Sequence, residues 1–198
     1  MKLKIKTAKS DKYCPIIFTI WIVNKNKDFK RGEYYMKSVV FLDVDGVLNT
    51  RTTVKRTPYG YTGIDDARVK ILANAFKRYG YDEIILSSDW KELDEKHMDY
   101  LYLVSKLGQC GLKISGHTPG SSRKRGKGIN EYLNLHPEIE EFVILDDVTF
   151  DFGKYEKLWE RLLITNGIEN VRFASIEYIE QSNLFINNLL RKKYEYKI

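Results

Sequence analysis

The sequence predicts an α/β fold in which a parallel sheet carries helices on both faces. Three apolar runs of buried-strand length, at 39–42, 83–86 and 142–145, are each followed directly by polar residues. Segments with helical periodicity separate these runs. Strands that alternate with helices in this way run parallel in one sheet. With 43% hydrophobic residues in a chain of 198, one domain can bury a full core.

The first predicted helix, 65–79, follows the strand at 39–42. Asp65 and Asp66 suit its N-cap and first turn, and Gly80 suits its end. Its apolar stripe consists of Val69, Leu72, Ala73 and Phe76.

The remaining elements continue the alternation. The second helix, 92–107, follows the strand at 83–86, and a loop with room for one strand spans 106–127. Further on, the sequence predicts helices at 128–135, 154–161 and 176–191 and weaker strands at 162–164 and 171–173.

Residues 1–35 differ from the rest of the chain in charge. They hold nine basic and three acidic residues, which account for the whole net charge of +6, whereas the remainder carries 24 of each sign. A globally basic surface on the main domain is therefore not indicated. We expect a basic N-terminal extension at 1–35 and a catalytic domain at 36–198. Met36, directly before the first strand, is an alternative start of the native product.

The composition argues against membranes and against thiol chemistry. The apolar run at 14–23 has ten residues, half of the roughly 20 that a spanning helix needs. Polar residues at 24–27 stand where a signal peptide would need small ones. Cys14 and Cys110 lie in neither a C-x-x-C motif nor a Cys/His cluster. We expect a protein of the reducing cytoplasm that does not act at a membrane.

Three predicted strands end in polar groups that suit a metal site. Ligands of α/β sheets bind beyond the carboxyl ends of the strands, so these groups are expected to converge. An all-oxygen set with crowded carboxylates suits Mg²⁺, because a cation relieves their mutual repulsion. The groups are Asp43 and Asp45 after the first strand, Ser87 after the second, and Asp146 and Asp147 after the third.

The spacing of Asp43 and Asp45 suits them to different roles in a two-step reaction. Two residues apart in extended backbone, they project to the same side, and Gly46 permits a tight turn behind them. One carboxylate can attack phosphorus to form an acyl-phosphate, while the other moves the proton of the leaving group and then of water. Ser87 can hydrogen-bond a phosphoryl oxygen.

These strand ends resemble the haloacid dehalogenase (HAD) superfamily of phosphohydrolases. The first motif of this superfamily is an apolar strand followed by Asp-x-Asp-Gly, and residues 43–46 match it. A second motif is a strand that ends in Ser or Thr, which Ser87 matches. A further motif is a strand that ends in paired acids, which residues 146–147 match. The resemblance implies a Rossmann-like three-layer sandwich with a mainly parallel central sheet. It also implies Asp43 as nucleophile and Asp45 as general acid/base. Mg²⁺ would be held by Asp43, the Asp45 carbonyl and Asp146, with Asp147 nearby.

The resemblance further requires a cation ahead of the last motif, and the sequence offers several. The segment 123–127 reads Arg-Lys-Arg-Gly-Lys. Lys127 is the preferred candidate because a short helix and a strand fit between it and Asp146. Arg125 is its main rival, and Lys124 is a third. The alternative for the segment as a whole is a solvated basic loop.

A narrower resemblance concerns the substrate. The strings LDVDGVLN at 42–49, LSSDW at 86–90, HPE at 136–138 and VILDD at 143–147 are similar to small HAD domains associated with RNA-repair proteins and to phage and viral relatives. Little sequence is left for a cap, so a minimal cap and an open site that admits bulky substrates are expected. Candidate contacts to a strand are the basic residues Arg51, Lys55, Arg56, Arg123, Lys124 and Arg125 and the aromatic residues Tyr59, Tyr61 and Trp90.

The leading functional prediction is a Mg²⁺-dependent phosphomonoester hydrolase that acts through an aspartyl-phosphate on a nucleotide or nucleic-acid end. A 5′(3′)-nucleotidase acting on free nucleotides is one alternative. The other is a non-catalytic module that binds phosphate or nucleic acid. The sequence leaves the oligomeric state open.

Overall fold

A computed structural model describes residues 37–173 of the chain. The predicted extension at 1–35 and the predicted helix at 176–191 lie outside these residues. Within them, β1 (Lys37–Leu42), β2 (Glu83–Leu86), β3 (Ile114–His117), β4 (Ile139–Asp146), β5 (Leu162–Thr165) and β6 (Val171–Phe173) form one sheet. Its order is β3-β2-β1-β4-β5-β6. The first five strands in that order run parallel and β6 pairs antiparallel with β5, as predicted for a mainly parallel sheet.

The sheet is buried on both faces, because successive residues of a strand point to opposite sides. Val40 and Leu42 of β1 pack with helices on one face, whereas Val39 and Phe41 pack with helices on the other. Each of these four side chains is at most 1% exposed. The continuous apolar run at 39–42 is therefore the signature of a strand with no solvent face. This arrangement confirms the three-layer sandwich.

The helices of the described region are α1 (Asp66–Tyr79), α2 (Met98–Gly108), α3 (Arg125–Leu135) and the one-turn α4 (Glu156–Trp159). The start and end of α1 agree with the prediction. Asp65 accepts a hydrogen bond from the Ala67 N–H, and Gly80 ends the helix with φ 69°. No helix among residues 37–173 is long and apolar enough to cross a bilayer.

Three helix predictions need correction. The segment 89–92 is a single 3₁₀ turn, and α2 begins only at Met98. The predicted helix at 154–161 is a 3₁₀ turn followed by the short α4. Helix α3 begins at Arg125 rather than at Gly128. Its glycines are positions of close packing: a Cβ on Gly128 would lie 2.5 Å from the Pro119 carbonyl oxygen.

Residues 49–64, here called the flap, connect β1 to α1 and form the minimal cap that was predicted. The flap folds back on itself through an isolated antiparallel bridge between Arg56 and Thr62. The Thr57 N–H donates to the Tyr61 carbonyl at 3.0 Å.

Arg68 of α1 ties the flap to the turn between β5 and β6. Its Nη1 donates to the Thr50 and Thr53 hydroxyls at 3.3 and 3.2 Å. Its Nε and Nη2 form a bidentate pair with the Glu169 carboxylate at 2.9 and 2.7 Å. One guanidinium on α1 thus holds the neighbouring flap to a turn that lies 101 residues later in the chain.

Candidate active site

Three strands end at one edge of the sheet and bring the predicted acids and the serine together. Asp146 is the last residue of β4, whereas Asp43 and Ser87 directly follow β1 and β2. The Asp43 N–H donates to a β4 carbonyl at 2.9 Å and the Ser87 N–H to a β1 carbonyl at 3.0 Å, which fixes both positions. Asp43, Asp146 and Asp147 each offer a carboxylate oxygen within 4.8 Å of the others. We call these three residues the acid cluster.

Arg125, the first residue of α3, supplies the positive charge nearest to the acid cluster. Its Nη1 lies 2.6 Å from Asp43 Oδ2 and 2.7 Å from Asp146 Oδ2. Its Nε donates to the Ser122 carbonyl at 3.1 Å, and its guanidinium lies over the Phe150 ring at 4.5 Å. Arg125 is only 5% exposed. The charge is held from all sides, so its position relative to both carboxylates is fixed.

Burial dominates the electrostatics of the cluster. It raises the pKa of Asp43 to about 6, although Arg125 acts in the opposite direction. Burial and the charge of Asp43 raise the pKa of Asp146 to about 7. Burial alone would lower the pKa of Arg125, but the two carboxylates raise it. One guanidinium therefore does not compensate both carboxylates, and the site favours a further cation.

Asp45 occupies a different environment from Asp43. It is exposed, and neutral groups hold both of its carboxylate oxygens. Asn49 Nδ2 donates to Oδ1 at 2.7 Å, and Trp90 Nε1 donates to Oδ2 at 2.9 Å. Asn49 Oδ1 in turn accepts from the Gly46 N–H at 3.2 Å. The two aspartates of the motif thus differ in burial and in their hydrogen-bond partners.

The turn at Gly46 brings the two acidic motifs into contact. Gly46 has φ +77°, and a Cβ built on it would lie 2.3 Å from the Asp147 carboxyl group. Its carbonyl accepts hydrogen bonds from the Gly167 N–H at 2.7 Å and the Thr165 hydroxyl at 2.8 Å. Only glycine meets both the backbone conformation and the close approach.

Gly46→Ala is expected to lower the free energy of unfolding by about 3 kcal/mol, since it combines a positive φ with a steric clash. The measurement is urea-induced unfolding. Gly60→Ala is the matched control, because Gly60 has φ +86° with no atom within 4 Å of its Cβ position. It should cost about 1 kcal/mol, the strain alone. Equal losses in the two variants would contradict the role given to the contact with Asp147.

Ser87 offers an unused hydroxyl beside the acid cluster. It is fully buried, and within the described residues its Oγ has no hydrogen-bond partner. A buried hydroxyl left without a partner is costly, so this atom is suited to a polar ligand. The adjacent Ser88 is engaged differently: its hydroxyl hydrogen-bonds Asp43, which acts to lower the pKa of that carboxyl.

Lys127, the cation preferred from sequence, does not reach the acid cluster. Its side chain is 57% exposed and its Nζ lies 3.5 Å from Glu131, one turn along α3. Lys124 is exposed as well. The rival Arg125 holds the position instead, because α3 begins early enough to turn this residue toward the sheet edge. Asp151 fixes that start by accepting from the Gly126 and Lys127 N–H groups at 2.8 and 3.1 Å.

Two of the candidate strand-binding residues are engaged within the fold. Trp90, a candidate for stacking on a base, is 7% exposed and donates to Asp45. Lys55 is paired with Asp66. Tyr59 and Tyr61 are 62% and 70% exposed, on the flap.

The acid cluster fits the magnesium ion that was predicted. The donors are carboxylate oxygens only, which is the ligand type that Mg²⁺ prefers. Burial, and at Asp146 also the charge of Asp43, keeps the pKa values of both carboxyl groups raised even beside Arg125. Both the chemistry and the charge of the cluster therefore suit a divalent cation.

Comparison with known families agrees with this geometry. A family described as "HAD domain in Swiss Army Knife RNA repair proteins" matches residues 39–169. The chain belongs to this family. No curated protein and no solved structure shows significant similarity to the chain. The match spans β1 through the turn after β5, so it includes every residue of this HAD domain's acid cluster.

Some residues of the HAD domain's site were not assigned a role from sequence. Asn49, which holds Asp45, stands four residues after it, and this spacing within a turn was the available signal. Phe150 adopts φ 35° and places its ring against Arg125. Asp89 accepts from Arg125 Nη2 at 3.1 Å. No sequence signal indicated the role of Phe150.

Proposed function

We propose that this HAD domain is a Mg²⁺-dependent phosphomonoester hydrolase that acts through an aspartyl-phosphate on Asp43. The observation that carries the proposal is the division between Asp43 and Asp45. Asp43 is buried next to Arg125, whereas Asp45 is exposed and held by neutral donors. A nucleophile and a proton carrier need such different surroundings. The unpartnered Ser87 hydroxyl supports the proposal, since it is suited to a phosphoryl oxygen.

In the first step, an Asp43 carboxylate oxygen attacks phosphorus, and the bond from phosphorus to the leaving oxygen breaks. Asp45 gives a proton to that oxygen, which would otherwise depart as an alkoxide. In the second step, Asp45 takes a proton from water while the water oxygen attacks the phosphorus of the aspartyl-phosphate. Inorganic phosphate leaves and Asp43 is regenerated.

The surrounding groups stabilise the charge of the phosphoryl group. Arg125 and the Ser87 hydroxyl are suited to its oxygens. Asp43, Asp146 and Asp147, with the Asp45 carbonyl, would hold the metal. When bound, Mg²⁺ supplies positive charge that offsets the carboxylates and the phosphate. Lys127 remains a candidate for phosphate contact only outside the acid cluster.

For the substrate we propose a phosphate at a nucleic-acid end or on a nucleotide. The RNA-repair proteins in the family description support this substrate class. A minimal cap leaves room for a strand to enter. Because the two cysteines lie in no C-x-x-C motif or Cys/His cluster, we propose that the protein acts in the reducing cytoplasm.

The test is phosphate release by the full chain, with and without Mg²⁺. Substrates are p-nitrophenyl phosphate, mononucleotides, and RNA and DNA oligonucleotides phosphorylated at the 3′ or the 5′ end. We expect turnover only with Mg²⁺. A shift of the melting temperature on addition of Mg²⁺ reports metal binding independently. Metal binding without turnover of any substrate would replace the proposal by the non-catalytic binding module.

Trp90→Phe tests the role of Asp45, because it removes the donor to Asp45 Oδ2 and keeps an aromatic ring. We expect kcat/KM, which reports the first step, to fall roughly tenfold for mononucleotides, since their alkoxide leaving group needs a well-placed acid. The kcat/KM for p-nitrophenyl phosphate should fall less than about twofold, because nitrophenolate leaves without a proton. Trp159→Phe, on the other face of the sheet, is the control. Equal losses on both substrates would assign Trp90 a purely structural role.

A further inference from the structure

A cleft of about 530 Å³ adjoins Asp45. This is within the range of small-ligand sites, about 300 to 1,000 Å³. Asp45 and Asp147 lie in its wall, and the flap and the turn between β5 and β6 form its sides. The Arg68 contacts with Thr50 and Glu169 brace these sides against each other. The cleft is therefore built into the fold beside the proton carrier.

The position of Asp45 decides which part of a substrate enters this cleft. Asp45 must reach the oxygen that leaves phosphorus in the proposed first step. The group attached to that oxygen must then lie on the Asp45 side of the phosphoryl group. The cleft is the space that the structure provides there.

The polar side chains that line the cleft determine which part of a substrate can bind there. Apart from its charged groups, it consists of hydroxyls, amides and glycine, and within the described residues no aromatic or large apolar side chain contributes to it. Nucleobases are held by stacking on aromatic rings, which this lining does not offer. Sugar hydroxyls and phosphodiester oxygens match hydroxyl and amide partners. The uncharged side chains are Asn49, Thr50, Thr52, Thr62, Asn166 and Asn170.

Arg51 supplies an available positive charge at this cleft. It is exposed, and it forms no ion pair with any other residue in 37–173. Arg68, the other arginine of the lining, is engaged by Glu169. An exposed arginine next to hydroxyls and amides suits a second phosphate at a distance from the reacting one.

We propose that this cleft binds the sugar–phosphate backbone next to the terminal phosphate, with Arg51 on the neighbouring phosphodiester. The inference rests on the proposed function and narrows its substrate. Strand ends of two or more nucleotides are then preferred over mononucleotides, and the identity of the base has little effect. Backbone contacts of this kind carry no sequence information.

The experiment compares kcat/KM for a mononucleotide with that for a dinucleotide bearing the same terminal phosphate, in 3′ and 5′ series. The full chain is used as wild type, Arg51→Ala and Lys77→Ala. Lys77 is the matched control, since it is a basic residue in the last turn of α1, away from the cleft lining. Wild type should prefer the dinucleotide about fivefold, the effect of one exposed charge contact. Arg51→Ala should remove this preference, and Lys77→Ala should retain it.

Two further readouts separate the outcomes. In wild type, KM for the dinucleotide should rise with salt, and Arg51→Ala should weaken that dependence by roughly one phosphate contact. A nucleoside 3′,5′-bisphosphate supplies a second phosphate without a strand. A preference for the bisphosphate but not the dinucleotide overturns the inference, as does an unchanged preference in Arg51→Ala. In both cases p-nitrophenyl phosphate hydrolysis by wild type shows that the proposed function itself stands.

Discussion

Asp43→Asn is expected to abolish phosphate release, lowering kcat by at least roughly 10⁴-fold. The amide has nearly the shape of the carboxylate but cannot attack phosphorus, so no aspartyl-phosphate forms. The measurement is Mg²⁺-dependent phosphate release from p-nitrophenyl phosphate, on which loss of the nucleophile is not masked by leaving-group effects. Hydrolysis within tenfold of wild type would exclude Asp43 as the nucleophile.

The same variant should remain folded. Burial raises the pKa of Asp43 to about 6, so above that pH its ionised form costs stability in the folded state. Asparagine removes this cost and also removes a charge that raises the pKa of Asp146. We expect the melting temperature of Asp43→Asn at pH 8 without metal to be no lower than that of wild type. Loss of phosphate release in a folded variant would then show that Asp43 is needed for the reaction and not for folding.

Arg125→Met is expected to destabilise the protein by about 3 to 5 kcal/mol at pH 8, because it leaves two buried carboxylates without their partner. Methionine fills part of the volume of arginine without its charge. The measurement is urea unfolding in the absence of divalent metal. Lys127→Met is the control, since this exposed residue should change stability by less than about 0.5 kcal/mol.

The destabilisation by Arg125→Met should depend on pH in one direction. Arg125 lowers the pKa values of Asp43 and Asp146, so its removal lets both rise further above about 6 and 7. At pH 5 both acids are then protonated in the folded state, and little charge is left uncompensated. As the pH rises through these values toward 8, ionisation becomes costly and the loss grows. The same loss at pH 5 and pH 8 would contradict this account.

The strands and the acids were predictable because both follow from burial in a parallel sheet. A strand covered on both faces must be apolar along its length, and the first polar residue after it marks the edge where ligands bind. Asp43 and Ser87 directly follow β1 and β2, and Asp146 is the last residue of β4. The pattern fixes their place independently of the details of any loop.

The cation was not predictable in the same way, because the position of its side chain depends on where α3 begins. The segment 123–127 was predicted to be a loop, with the helix starting at Gly128. In the structure Gly126 and Gly128 are helical, and a Cβ on Gly126 would lie 3.1 Å from Asp151. Since each residue turns a helix by about 100°, a shift of a few residues changes which side chain faces the sheet. A single sequence does not distinguish a glycine that allows close packing within a helix from a glycine that allows a turn.

Trp90 illustrates a second limit. An aromatic residue after a strand suits both a stacking platform and a buried anchor, and only the fold decides between them. Here the ring is buried and its N–H needs an acceptor, which Asp45 provides at 2.9 Å.

The hydrogen bonds that close the Asp43–Gly46 turn also bear on the order of events during protein synthesis. Gly46 and Val47 offer carbonyls to the N–H groups of Gly167 and Ile168, which the ribosome adds some 120 residues later. A nascent chain that has released only β1 to β4 already carries the acids, yet the turn between them still lacks these partners. Such long-range contacts form late in folding. The turn at Gly46 is thus completed by a segment that emerges after β4. If the proposed function holds, we expect fragments that end before β5 to release no phosphate.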